Sequence, residues 1–151
     1  MDLTDEQINR YSRQIVLKEV GGIGQQKLLN SKITLIGLGA LGSPAAFYLA
    51  AAGVGTLQLI DFDTVEISNL HRQILHFTND ISTQKTKSAE NKLNMLNPDC
   101  TIEIVNDRIT PSNSKALLKD SFHDCGCIKI PWTNYDCCSR KKDFLLSVRV
   151  R

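Results

Sequence analysis

Ile33-Thr34-Leu35-Ile36-Gly37-Leu38-Gly39-Ala40-Leu41-Gly42 decides how the rest of this 151-residue chain is read. A short β-branched and apolar run predicts a strand, and it ends in the glycine pattern Gly37, Gly39, Gly42. Ser43 to Ala52, rich in alanine and closed by Gly53, predicts a helix. Thr56 to Ile60 predicts a second strand, ending at Asp61. Strand, glycine turn, helix, strand, acid is one βαβ unit. Glycines let the backbone bend sharply and approach a phosphate, and the free amides opening the helix face the anion. Asp61, 19 residues past Gly42, is placed to accept bonds from ribose hydroxyls. The plainer alternative is a tight turn without ligand and a capping Asp; the strand before and the helix after favour a nucleotide.

Working outward, Thr4 and Gln7 form a capping-box pattern and Asp5 and Glu6 suit a first helical turn. A helical arm is expected over Leu3–Val20, broken by Gly21, Gly22 and Gly24, with a second short helix over Gln25–Asn30. Gln84–Leu96 predicts a helix with Ala89, Leu93 and Leu96 on one face, stopped by Asn97-Pro98. Thr101–Val105 alternates as a third strand, and Ser112–Lys119 predicts a short helix. A fourth strand would be due over residues 121–130, but Ser121–Cys127 does not read as one. The expected fold is α/β: a Rossmann-like parallel sheet with an N-terminal helical arm, three strands of it legible and the sheet incomplete.

The chain is 42% hydrophobic and 23% charged with a net charge of +2. That composition fits one globular domain with a core, and excludes collagen, disulfide-miniprotein and disordered classes. The longest apolar stretch, Ala45 to Val54, is about half of the ~20 residues a membrane span needs. No basic-then-apolar leader is visible, so a cytoplasmic protein is expected. The near-neutral balance gives no reason to expect a nucleic-acid or membrane partner. Charge is unevenly placed: residues 1–124 balance at −2 and residues 125–151 at +4, and four of the five cysteines lie in the latter. Residues 1–120 therefore read as a nucleotide-binding portion and 121–151 as a divergent tail, as an altered reading frame, a degraded gene copy or a truncation would produce.

Asp61-Phe62-Asp63-Thr64-Val65-Glu66 and Ser68-Asn69-Leu70-His71-Arg72-Gln73 crowd polar groups just past a strand's carboxyl end, where such sheets bind ligands. Arg72 can fork onto phosphate oxygens, and Lys85 can act as a point charge. Two cations and two amides beside a phosphate loop suit a triphosphate better than the pyrophosphate diester of NAD. Taken singly, these residues have ordinary readings. Arg10 and Arg13 are solvated helix cations, Lys85 a solvated helix start, Asn69 a turn residue and Asp63 a helix cap. His71, His76 and His123 read as turn residues, and Tyr11 and Phe47 as packing groups.

Arg10-Tyr11-Ser12-Arg13-Gln14-Ile15, the glycine turn, the Asp61–Glu66 and Ser68–Gln73 strings and Lys85, in that order, resemble the ThiF/MoeB/HesA family, bacterial relatives of the ubiquitin-activating enzymes. The resemblance covers about residues 6–120. It implies an ATP-dependent adenylyltransferase that activates the C-terminal glycine carboxylate of a ubiquitin-like sulfur-carrier protein. Gly37, Gly39, Ala40 and Gly42 would meet the phosphates by backbone and Asp61 would hold the ribose. Asn69, Arg72, Gln73 and Lys85 would bind phosphates, with Asp63 near the nucleotide. Arg13 would reach across a homodimer into the partner's ATP site.

The resemblance stops after the third strand and its helix. The family's Asp-x-Thr-Asp-Asn pattern, whose second Asp binds magnesium, is not found; Asp124 and Asp136 are poor substitutes. The Cys125-x-Cys127 and Cys137-Cys138 spacings do not match a zinc knuckle. No cysteine lines up as a thioester nucleophile. Two rivals follow: a non-catalytic remnant that binds nucleotide, and a NAD or FAD oxidoreductase that has no need of Arg72, Gln73 or Lys85.

Overall fold

The computed structural model describes residues 3–118 and the backbone of residues 127–129. In chain order the elements are α1 (Asp5–Arg10), α2 (Ser12–Ile15), α3 (Gly21–Leu29), β1 (Lys32–Ile36), α4 (Gly42–Ala51), β2 (Thr56–Ile60), α5 (Lys85–Leu96), β3 (Thr101–Val105), α6 (Ser114–Leu117) and β4 (Cys127–Lys129). The four strands form one parallel sheet in the order β3-β2-β1-β4. Crossovers run one way from β1 to β3, and the chain then returns to the far side of β1. The carboxyl end of β1 is thus the point where strand order reverses, which is where open α/β sheets bind ligands.

Register explains the two-faced sheet. Ile33 pairs with Leu57 and Leu57 with Ile102, while Leu35 pairs with Leu59 and Leu59 with Ile104. Ile33, Leu35, Leu57, Leu59 and Ile102 join one core with Ala46 and Ala50 of α4 and Ala89 and Leu93 of α5. The alanines of α4 carry almost no side-chain bulk, so its backbone lies close to the strands. α4 packs on β1 and β2, α5 on β3, and the two helices on each other. That is the outcome of two same-handed crossovers. The opposite face holds Thr34, whose hydroxyl donates to Gln58 at 2.8 Å, and an ion pair of 2.6 Å between Lys32 and Glu103.

The expected β1, β2 and β3 are present, and the helices over 42–51 and 85–96 differ from expectation by a residue or so. Four details differ more. The arm is interrupted at Tyr11, whose ring is buried while its hydroxyl donates to Asp99 and accepts from Asn97. This ties the arm to the end of α5, so tertiary anchoring overrides a continuous helix. Gly21, Gly22 and Gly24 open α3 rather than forming a break before a helix at Gln25. Buried Gln25 donates to Ala52 O at 2.9 Å, and Gly55 N–H donates to Leu28 O; this packing outweighs the glycines' low helix propensity. Leu96 is 39% exposed, and the buried face of α5 is instead Lys85, Ser88, Ala89, Lys92 and Leu93. A fourth strand does form, with Cys127–Lys129 pairing to Thr34–Ile36. The unsatisfied edge of β1 accepts a short strand that residues 121–127 do not advertise. Asp124, Asp136, Cys125, Cys137 and Cys138 lie outside the described residues.

Candidate nucleotide site

Gly37 follows the last residue of β1 with φ +89°, a conformation that disfavours any side chain. Its N–H donates to Ile60 O at 2.8 Å, continuing the β1–β2 ladder by one bond before the chain turns away. A Cβ at Gly39 would meet nothing within 4 Å, so the turn leaves open space beside its backbone. The first intrahelical bond of α4 runs from Ser43 N–H to Gly39 O, 2.9 Å. The amides of Gly39, Ala40 and Leu41 precede it and lie at the positive end of the helix.

Asp61 holds the turn in place. It is 6% exposed. Its Oδ2 accepts the Leu38 N–H at 2.6 Å and its Oδ1 accepts the Asp63 N–H at 2.8 Å. Each oxygen keeps a second lone pair for a ligand hydroxyl. The strand-end carboxylate therefore does the capping task that was the plainer reading of Asp61, and keeps acceptor capacity for a ligand besides.

The segment after β2 doubles back. Thr64 bridges Gln84, Val65 N–H donates to Thr83 O, and Lys85 N–H donates to Asp63 O at 3.0 Å. This local pairing brings Asp63 to the start of α5. Lys85, 5% exposed, is not the solvated lysine its position alone would give; its Nζ donates to Asp63 Oδ2 at 3.0 Å. Burying an ammonium without a countercharge is costly, and Asp63 supplies one.

Asn69, Arg72 and Gln73 share one tight turn: the Arg72 and Gln73 amides both donate to Asn69 O. Asn69 Oδ1 accepts the Glu66 N–H, and its Nδ2 donates to Ser68 Oγ. Arg72 is exposed, with Nη1 donating to Ser68 O at 3.0 Å, which leaves most of its fork available. Gln73 is 5% exposed, and its Oε1 is buried with no hydrogen-bond partner among the described residues. Buried side-chain amides are nearly always paired. Gln25 Oε1 on α3 is likewise buried without a partner among the described residues, and Gln73 differs from it in sharing its turn with Asn69 and Arg72. Arg13 stands exposed on α2, whose packing is against α1 and α3.

His76 is the largest departure from expectation. It is no exposed turn residue: it is 2% exposed, lies against the glycine turn, and contacts Leu38 O at 3.2 Å and Ser88 Oγ at 2.9 Å. Burial holds its pKa below the usual imidazole value; the Leu38 carbonyl and Asp80 oppose this, while Lys85 and Lys92 reinforce it. Lys85, Ser88 and Lys92 recur on one face of α5, a polar stripe at core spacing that could have flagged this buried network.

Among the described residues, no group of three or more His, Cys, Asp or Glu side chains is arranged to hold a metal. Among them, too, no helix is long and apolar enough to cross a membrane.

The ThiF family matches residues 11–127. The chain is 51% identical over 125 residues to the sulfur carrier protein ThiS adenylyltransferase of Escherichia coli, covering 82% of this chain and 50% of that protein. It is 41% identical over 131 residues to the adenylyltransferase and sulfurtransferase UBA4 of Vanderwaltozyma polyspora, covering 86% and 30%. The chain thus spans half or less of the length of these relatives. Among solved structures, the E. coli tRNA N6-threonylcarbamoyladenosine dehydratase TcdA in complex with ATP superposes with a TM-score of 0.73 at 26% identity, covering 85% of this chain and 51% of that one.

Proposed function

The chain belongs to the ThiF family, and on that premise we propose that it takes part in ATP-dependent adenylylation of the C-terminal glycine carboxylate of a ubiquitin-like sulfur carrier. The carboxylate oxygen attacks the α-phosphorus of ATP, the bond to the bridging oxygen breaks, and pyrophosphate leaves, giving an acyl-adenylate. Little covalent chemistry falls to the protein; it must hold two anions together and stabilise charge on the leaving phosphates.

The roles divide by position. The amides of the Gly37–Gly42 turn meet the phosphates, and Asp61 accepts from the ribose while fixing that turn. Arg72, exposed and forked, and Lys85, buried and aimed by Asp63, carry the positive charge. Asn69 and Gln73 add amide contacts. Arg13 acts across a homodimer, from the partner's arm. The observation that carries this reading is the glycine turn at the carboxyl end of β1, open beside Gly39 and fixed by the buried Asp61 carboxylate at the end of β2.

A sulfur carrier is preferred over an RNA-linked carboxylate because the higher identity is to the ThiS-activating relative. The near-neutral net charge also gives no electrostatic reason to expect a polyanion. A cytoplasmic setting is part of the proposal. Magnesium, expected with ATP in this family, would share the phosphate charge with Arg72, Lys85 and Arg13.

ATP–pyrophosphate exchange, measured with the chain and a ThiS-type carrier, tests the proposal. Exchange that depends on the carrier and is lost in Arg72→Ala is the expected result. ATP binding without exchange would assign the chain to the remnant reading, and NAD binding in preference to ATP would reject the family's chemistry for it.

A further inference from the structure

One buried chain of polar groups runs beneath the glycine turn. Lys92 Nζ pairs with Asp80, lies 4.7 Å over the Phe77 ring, and donates to Ser88 Oγ at 3.1 Å. Ser88 Oγ lies 2.9 Å from His76 Nδ1, and His76 Nε2 lies 3.2 Å from Leu38 O. A backbone carbonyl only accepts, so Nε2 carries the proton; the neutral ring then accepts the Ser88 hydroxyl proton at Nδ1. The chain leads from Lys92 through Ser88 and His76 to the turn, while Lys92 also donates to its countercharge Asp80. Ser43 Oγ also donates to Leu38 O, at 3.0 Å. Leu38 is therefore gripped on both sides, its N–H by Asp61 and its carbonyl by His76 and Ser43.

We propose that His76 is a positioning residue, which holds the Leu38 carbonyl so that the amides of Gly39, Ala40 and Leu41 stay aimed at the phosphates, and that Ser88 and Lys92 lock the imidazole for this task. The inference rests on the reading of this turn as a triphosphate grip. The imidazole touches no substrate; it acts through the backbone. Removing it frees the peptide to rotate and lowers the fraction of protein whose amides converge.

Native-state amide exchange of the unliganded chain and titration with magnesium-ATP, on His76→Phe, His76→Gln and Ser88→Ala, test this. Gln can still donate to Leu38 O, whereas Phe cannot. Phe is expected to speed exchange at the bonded turn amides of Leu38 and Ser43 about 10-fold and weaken ATP by a similar factor, with Leu57 and Leu59 unchanged. Gln should restore both to within about 3-fold. Unchanged exchange at the turn in Phe and Ser88→Ala alike overturns the proposal; if Phe does not fold, Ser88→Ala decides, with faster turn exchange expected. Faster exchange together with no ATP binding by the unsubstituted chain would instead sink the triphosphate reading and leave the clamp standing.

Discussion

Asp61 Oδ2 accepts the Leu38 amide at 2.6 Å, so the end of β2 and the turn after β1 are joined through one buried carboxylate. The second oxygen does the same for Asp63, the residue that aims Lys85. The glycine turn, the end of β2 and the buried Lys85 are therefore linked through a single side chain.

Asp61→Ala should cost about 2–4 kcal/mol, since a buried amide and a part-buried one lose a charged acceptor. Asp61→Asn keeps one acceptor oxygen and should lose roughly half of that. Urea denaturation of the three proteins checks the order; equal stability of all three would contradict the linkage.

Gln73→Leu should separate ligand binding from folding. Replacing a buried, unpartnered amide by an apolar group of similar size is neutral or stabilising in the free protein. ATP affinity should still fall by about 10-fold, the value of one good polar contact. A Leu variant that loses stability and keeps ATP affinity would mean that Gln73 has a structural task only.

Gly53→Ala should be severe. Gly53 has φ +86°, and a Cβ would lie 2.6 Å from Gln25 Nε2 and 2.7 Å from the Tyr11 ring. Those neighbours belong to the anchor of the N-terminal arm, so a loss of about 2–4 kcal/mol is expected, combining overpacking with backbone strain. A thermal shift of a few tenths of a degree would show that the arm is not packed as described.

The βαβ unit was legible because its rules are local. A continuous apolar run, glycines at fixed offsets and an acid at the next strand's end each constrain a few neighbouring residues. Arg72, Asn69 and Gln73 could be grouped from sequence because they share one turn. His76 could not: its burial depends on residues 66–81 folding back so that it meets Ser88, 12 positions on, and Leu38, 38 positions earlier. Lys85 reads as solvated for the same reason, since its countercharge Asp63 arrives from the preceding loop, as Asp80 does for Lys92. The strand at Cys127–Lys129 is set by the edge it joins rather than by its own pattern.

The buried His76 also makes stability depend on pH. Its folded pKa lies below the ordinary value near 6.5, so the unfolded chain takes up the proton first. The stabilisation is complete above about pH 6.5 and is lost as pH falls toward the folded pKa. Lys85 and Lys92 disfavour the charged ring and Asp80 favours it. Asp80, held below its usual value by Lys92 and the Phe77 amide despite its burial, adds a loss only below about pH 4. Melting temperatures from pH 8 to 5 should fall for the native chain and flatten in His76→Gln; parallel curves would contradict the assignment.

Cys100 is 2% exposed, and burial pushes its thiol up to about 11, against a partial offset from the Leu57 backbone. Alkylation at pH 8 followed by peptide mapping should leave Cys100 unmodified until the chain is unfolded. Rapid labelling of Cys100 in the folded chain would contradict the packing of β3 against α5.

The central claim is that the carboxyl ends of β1 and β2 grip a triphosphate. Competitive titration of the chain with magnesium-ATP and NAD, repeated on Arg72→Ala, tests it most directly. The prediction is that ATP binds more tightly than NAD and that Arg72→Ala weakens ATP about 10-fold or more while melting temperature barely moves. NAD binding more tightly than ATP, or ATP affinity indifferent to Arg72, would contradict it.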